Sequence, residues 1–169
     1  MAADDAETRT GLGSDAHAFG PGDGLRLGGI EIESAPRLHG HSDGDAALHA
    51  VAGALLGAAA LGDLGSLFPA DSRTPRGVIS ADLVRDVVQL LGEQGWRATS
   101  LDVTIRAGRP RLGPHLSPMR DAIAALLAVP SAAVSVKAAT GNLSGDAGAG
   151  RVIEAEAIAT IVRPGGGAR

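Results

Sequence analysis

The longest uncharged stretch of the chain, the 17 residues from Ala46 to Gly62, narrows the choice of folds more than any other feature. Apart from His49 it consists of Ala, Gly, Leu and Val. A membrane span needs about 20 strongly apolar residues, so this stretch reads as a buried helix. Its small side chains let neighbouring elements approach closely, which suits packing against other helices or another subunit.

Around that helix the pattern alternates. Gly11–Phe19 and Leu25–Ile32 read as strands, with Pro21-Gly22-Asp23-Gly24 as the turn between them. Ser42 reads as the cap of the long helix, with Asp43 and Asp45 in the first turn, where the helix dipole favours carboxylates. Leu64–Gly77, with Pro69 and Pro75, reads as a loop. A second helix is predicted from a Ser80 cap to about Gln94, with Leu83, Val84, Val87, Val88 and Leu91 on one stripe. Ala98–Arg106 reads as a strand with Leu101, Val103 and Ile105 on one face. A helix over Pro114–Ala128, a strand over Ala133–Ala139, a small-residue loop over Thr140–Gly150 and a strand over Val152–Val162 complete the chain. This is one α/β domain over 11–163, between flexible tails at 1–10 and 164–169.

Composition excludes several chemistries. There is no Cys, so disulfides, thiolate metal sites and thiol nucleophiles are ruled out. Together with a polar, acidic start that lacks an apolar signal region, this fits a reducing, cytoplasmic location. A net charge of −4 and few aromatics argue against nucleic-acid binding. Lys137 is the only Lys, and Arg supplies the remaining basic residues.

The chemistry-bearing residues cluster early. Asp15 and His17 are two apart on a strand, so their side chains share a face. The segment His39-Gly40-His41-Ser42-Asp43-Gly44-Asp45 follows, and His49 lies on the small-residue helix. Asp15, His17 and His49 make a donor set suited to Zn²⁺ with an open fourth position. Taken singly, each of these pairs is equally an ordinary hydrogen-bonded pair on a strand or helix. Non-haem Fe(II) oxygenases use the same donors, but usually in all-β barrels, which a helical His49 opposes. A second constellation, Ala107 to His115, holds Arg109 and Arg111 among Gly and Pro before a helix, a setting that suits anions. A third, Lys137 to Asn142, ends a strand with Thr140 and Gly141, whose hydroxyl and backbone N–H groups could hold a diphosphate.

In order and spacing these motifs resemble the family of 2-C-methyl-D-erythritol 2,4-cyclodiphosphate synthases of non-mevalonate isoprenoid biosynthesis. Asp15-Ala16-His17 is similar to the family's opening D-V-H. The segments from Gly40 to Ala50 and from Leu55 to Gly65, then Leu67-Phe68-Pro69, Arg109-Pro110-Arg111-Leu112 and Pro114-His115, continue the resemblance. The resemblance implies a mixed β-sheet covered on one side by helices, assembled as a homotrimer around a β-lined axis with active sites between subunits. It implies a cyclisation that releases CMP from a cytidine-diphosphate substrate. Asp15, His17 and His49 would then hold Zn²⁺, and His41, Ser42, Asp43 and Asp63 would lie along the substrate. Ala107, Arg111, Leu112, Ala138, Ala139 and Thr140 would line the cytidine and diphosphate pocket, with His41 and Thr140 in catalytic roles. A second ion, Mg²⁺ or Mn²⁺, would bridge the phosphates.

The chain departs from the family pattern at several positions. Asn142 stands where the family has a Glu that contacts the second metal, and a neutral carbonyl oxygen binds a hard cation more weakly. Gly53, Ala70, Ile79 and Ala149 replace an Asp, an Asp, an Asp and an Arg. These changes leave a second reading open: a non-catalytic relative that binds zinc and a nucleotide or isoprenoid diphosphate as a sensor.

Overall fold

The computed structural model describes residues 6–165. Its first strand, β1, runs from Glu7 to Leu27 and is longer than the sequence pattern suggests at both ends. Glu7 already pairs with Arg163, so residues 7–10 belong to the sheet rather than to a tail; residues 1–5 and 166–169 lie outside the described residues. At the other end, the Pro21–Gly24 segment does not turn the chain. Gly22 and Gly24 both take φ +91°, and the irregularity is absorbed as register shifts around Asp23.

The hairpin instead closes at Gly28-Gly29, with φ +61° and +80°, between the paired residues Leu27 and Ile30. Two central residues at positive φ match the twist of the flanking strands. The predicted strand Leu25–Ile32 therefore straddles the turn, and β2 runs from Ile30 to Leu38.

Helix α1 spans Ala46–Ala59 and is capped by Asp45, not Ser42. The Asp45 carboxylate is buried. Its Oδ1 accepts from the N–H groups of Leu48 at 2.9 Å and Gly28 at 2.8 Å, and its Oδ2 from Gly29 at 2.8 Å. One side chain thus fixes the hairpin turn to the start of α1. Burial pushes its carboxyl up, and the three backbone N–H groups pull the other way.

The short α2, Leu64–Leu67, is capped by Asp63 and falls within the predicted loop. Helix α3 spans Ser80–Glu93 and buries Leu83, Val84, Val87 and Leu91 as the stripe predicts. Its N-cap position is Ile79, with no side-chain cap, because the Ser80 hydroxyl is engaged by Asp43 and His49 instead. Strand β3, Arg97–Arg106, leads through a 3₁₀ turn at Gly113–His115 into α4, Leu116–Leu127. Strand β4, Val134–Ala139, follows. The predicted loop after it contains a 3₁₀ turn at Gly141–Leu143 and a single-turn helix α5 at Gly145–Gly148. Strand β5 spans Val152–Arg163.

Among the described residues, five strands form one mixed sheet in the order β2-β1-β5-β3-β4, with only β3 and β4 parallel. On one face, Leu101, Val103 and Ile105 of β3 and Ala155, Ala157 and Ala159 of β5 are buried in a core shared with α1, α3 and α4. On the other face Leu12 is 66% exposed, and its cross-strand partner Ile158 is 48% exposed.

Helix α1 lies against β1 with no side chain between the backbones. A Cβ on Gly11 would fall 2.1 Å from the Ala54 carbonyl oxygen, and one on Gly13 would fall 2.0 Å from that of Ala50. These oxygens belong to a helix backbone that cannot yield locally. Gly13→Ala is therefore expected to destabilise the fold by about 3 kcal/mol and to lower the melting temperature by roughly 6–12 °C. A melting curve matching wild type would show that the backbone contact is not limiting.

Candidate metal centre

Alternation along β1 puts Gly11, Gly13, Asp15 and His17 on one face, the face that receives α1. Because the glycines admit the helix backbone, His49 on α1 reaches down to the two polar residues. Asp15 Oδ2 lies 2.8 Å from His17 Nε2 and 2.8 Å from His49 Nδ1. The two ring nitrogens are 3.2 Å apart. The structure thus brings the three predicted metal ligands together, and among the described residues they form a group able to hold an ion.

The orientation of each ring is set from behind. The backbone carbonyl of His39 accepts from His17 Nδ1 at 2.6 Å, which directs Nε2 into the cluster. His49 Nε2 lies 3.1 Å from the Ser42 hydroxyl and 2.9 Å from that of Ser80, which leaves Nδ1 facing Asp15. Tetrahedral Zn²⁺ with bonds near 2.1 Å places its ligand atoms about 3.4 Å apart, so these donors need only part by about half an ångström to hold an ion. In donor type, half-buried setting and spacing, the residues fit a divalent transition metal.

Charge around the cluster is arranged accordingly. Burial alone would raise the Asp15 carboxyl, but hydrogen bonds and charge from His17 and His49 outweigh it and hold the group well below the usual carboxylate range. The hydrogen bond it donates to Asp15 raises the His17 imidazole above its ordinary 6.5, against the opposing effect of burial.

His49 also lines a pocket of about 120 Å³, together with His41, Ser42, Phe68, Thr74 and Leu83. His41 Nε2 donates to the Thr74 carbonyl at 2.7 Å, and the His41 carbonyl accepts from Gly77 N–H at 2.7 Å. These bonds stitch the 69–79 loop to the pocket wall. The Asp43 carboxylate accepts from the Ser80 N–H at 3.1 Å and from the Ser80 hydroxyl. Asp63 accepts from the Ser66 N–H and hydroxyl, each at 2.8 Å, beside the pocket residues Leu64 and Gly65.

The second group of predicted residues also converges. Ala107, Arg111, Leu112, Ala138, Ala139 and Thr140 line one pocket of about 360 Å³ at the C-terminal ends of β3 and β4. Arg109 borders it, but its guanidinium donates to the Gly150 carbonyl at 2.9 Å and lies over the Phe19 ring. The Lys137 ammonium is paired with Asp102, which lies diagonally across from it on β3.

This pocket and the metal cluster are separate within one chain. Asp15 pairs with Ala155, which pairs with Ile105, which pairs with Ala138. Two strand spacings, about 10 Å, therefore separate Asp15 from β3, the nearer strand of that pocket, and a third separates it from β4. Asn142 sits beyond β4, in the 3₁₀ turn after Thr140, with φ +53°.

Sequence reasoning misses Ser80 as a site residue, because a Ser at a helix start reads as a cap. It also misses His39, which acts through its carbonyl and leaves no side-chain signal.

Metal binding requires a neutral His17, and its raised pKa makes protons compete at higher pH than they would for a free imidazole. Zinc affinity is expected to fall as pH drops through that raised value, and His17→Ala is expected to abolish stoichiometric binding. Full zinc occupancy in the variant, measured by metal analysis after dialysis, would mean the ligand assignment is wrong.

A sequence model of the YgbB family matches residues 8–162. The chain is 46% identical over 153 residues to the 2-C-methyl-D-erythritol 2,4-cyclodiphosphate synthase of Xanthomonas campestris pv. campestris (strain B100), spanning 90% of this chain and 94% of that protein. Among solved structures, the bifunctional IspDF of Campylobacter jejuni superposes with TM-score 0.89 at 30% identity, over 94% of this chain and 43% of that one. This chain therefore corresponds to under half of that bifunctional protein. A 2C-methyl-D-erythritol-2,4-cyclodiphosphate synthase in its CDP-bound form superposes with TM-score 0.79 at 34% identity, over 90% of this chain and 99% of that one. No helix among the described residues is long and apolar enough to cross a membrane.

Proposed function

The chain belongs to the YgbB family, that of the 2-C-methyl-D-erythritol 2,4-cyclodiphosphate synthases, and from that membership we propose how its residues carry out the reaction. The substrate is 4-diphosphocytidyl-2-C-methyl-D-erythritol 2-phosphate. Its own 2-phosphate attacks the β-phosphorus, the cyclic diphosphate forms, and CMP leaves. The enzyme is a lyase that needs no protein nucleophile. Its residues must hold two phosphates in line and offset the charge that builds between them.

Asp15, His17 and His49 would hold a Zn²⁺ ion in this reading, and Asn142 stands where the family has a Glu that contacts a second ion, Mg²⁺ or Mn²⁺. When bound, these ions supply Lewis-acid polarisation of the diphosphate. His41, Ser42 and Asp63 border the methylerythritol 2-phosphate, where His41 acts by keeping the 69–79 loop closed against the pocket. Arg111 and the backbone N–H groups of the 107–112 loop bind the cytidine diphosphate end. Ala107, Leu112, Ala138 and Ala139 give that pocket an apolar wall for the nucleoside, and the Thr140 hydroxyl donates to the α-phosphate.

We assign the assembly as a homotrimer in which one subunit's metal cluster faces its neighbour's nucleotide pocket. Two features support this: the two or more strand spacings, about 10 Å, between Asp15 and the strands of the nucleotide pocket within a chain, and the exposed sheet face bearing Leu12 and Ile158. The protein is assigned to the cytoplasm.

The meeting of Asp15, His17 and His49, with His49 also lining the small pocket, is the observation that carries this reading, and membership of a family of synthases favours catalysis over the sensor. Purified protein with Zn²⁺ and Mg²⁺ is expected to release CMP from the cytidylyl substrate in step with formation of the cyclic diphosphate. Binding of substrate by metal-loaded, folded protein without CMP release would favour the sensor.

A further inference from the structure

We propose that Ser80 and Asp43 act together as positioning residues that fix His49 in the tautomer able to ligate a metal. The proposal rests on the metal-site reading but not on turnover. Ser80 is wholly buried in the first turn of α3. Its Oγ lies 2.9 Å from His49 Nε2 and is hydrogen-bonded to Asp43 Oδ1.

The tautomer follows from counting protons. A hydroxyl has one proton to donate, and an ionised carboxylate can only accept. The Ser80 proton therefore goes to Asp43. Toward His49, Ser80 can then only accept, so Nε2 must carry the ring hydrogen. In the neutral ring this leaves the lone pair on Nδ1, 3.2 Å from His17 Nε2, which can donate to it; the second hydrogen that a cationic ring carries on Nδ1, toward Asp15 Oδ2 at 2.8 Å, is the one a metal replaces.

The surroundings agree. The Ser42 hydroxyl accepts from Gly44 N–H at 3.0 Å and lies 3.1 Å from the same His49 Nε2, where its oxygen can share that hydrogen. Asp43 is itself held in place: its carboxylate accepts from the N–H groups of Ser80 at 3.1 Å and Asp45 at 3.3 Å. The chain Asp43–Ser80–His49 therefore begins on backbone donors of two elements and ends at the metal cluster. It also accounts for a serine at the head of α3 that caps nothing.

Asp43→Asn gives the clearest test. An amide nitrogen facing Ser80 would donate to its Oγ and release the hydroxyl proton toward His49 Nε2. In alkaline buffer, long-range ¹H–¹⁵N correlation spectra of the metal-free wild type are expected to show His49 with hydrogen on Nε2. In Asp43→Asn the nitrogen shifts should move toward the other tautomer, and zinc affinity, measured by chelator competition, should fall about 10–100-fold. Ser80→Ala should lose affinity in the same range, and Ser80→Thr, which keeps the hydroxyl, should bind zinc like wild type. If Ser80→Ala does not fold, Asp43→Asn and Ser80→Thr carry the test. Wild-type zinc affinity and unchanged His49 nitrogen shifts in Asp43→Asn would overturn the proposal. If the wild type itself bound no zinc, the metal-site reading would fail, and the nitrogen shifts of metal-free His49 would still decide this one.

Discussion

Gly11 and Gly13 let the backbone of α1 rest directly on that of β1, and the positions of the metal-facing atoms follow from that contact. Side chains between a helix and a sheet normally hold the two backbones about 10 Å apart. Here even one methyl group would enter the helix carbonyls. The small-residue helix and the glycine strand are therefore complementary halves of one interface. Two residues further along β1, where the same face continues, Gly gives way to Asp15 and His17. His49, on a helix already held close, meets them at hydrogen-bond distance.

Rigidity at the cluster comes from both sides of the contact. On the strand side, the His39 carbonyl turns His17. On the helix side, Asp45 joins the hairpin turn to the first turn of α1, four residues before His49. The phosphate end of the proposed site is built differently. It has few cationic side chains, because Lys137 is spent on Asp102 and Arg109 on Gly150 and Phe19. Arg111, backbone N–H groups and bound cations are left to offset the substrate's charge, which matches a chain of net charge −4.

The sequence made the chemistry of the site more legible than the path of the chain. Asp15 and His17 could be placed on one face because strand alternation is a local rule, and Leu101, Val103 and Ile105 were legible for the same reason. The turn was not. Pro21-Gly22-Asp23-Gly24 carries strong turn residues, yet it lies inside β1, and the quieter pair Gly28-Gly29 makes the hairpin. Tertiary contacts decided that outcome, since Asp45 takes both N–H groups of the glycine turn. The same cause misplaced the helix caps. Asp45 and not Ser42 caps α1, and Ser80 forgoes capping α3 for a bond to a residue 31 positions away. Local rules carry no information about such partners.

The central claim is that a working site joins one subunit's metal cluster to its neighbour's nucleotide pocket. It is tested most directly by mixing two inactive proteins, His49→Ala and Arg111→Ala, unfolding and refolding them together, and measuring CMP release. With random assembly, a site between subunits receives both intact halves about one time in four, so roughly a quarter of wild-type turnover should return. If mixed assemblies form and turnover stays at the level of either variant alone, each site lies within a single subunit and the account is wrong.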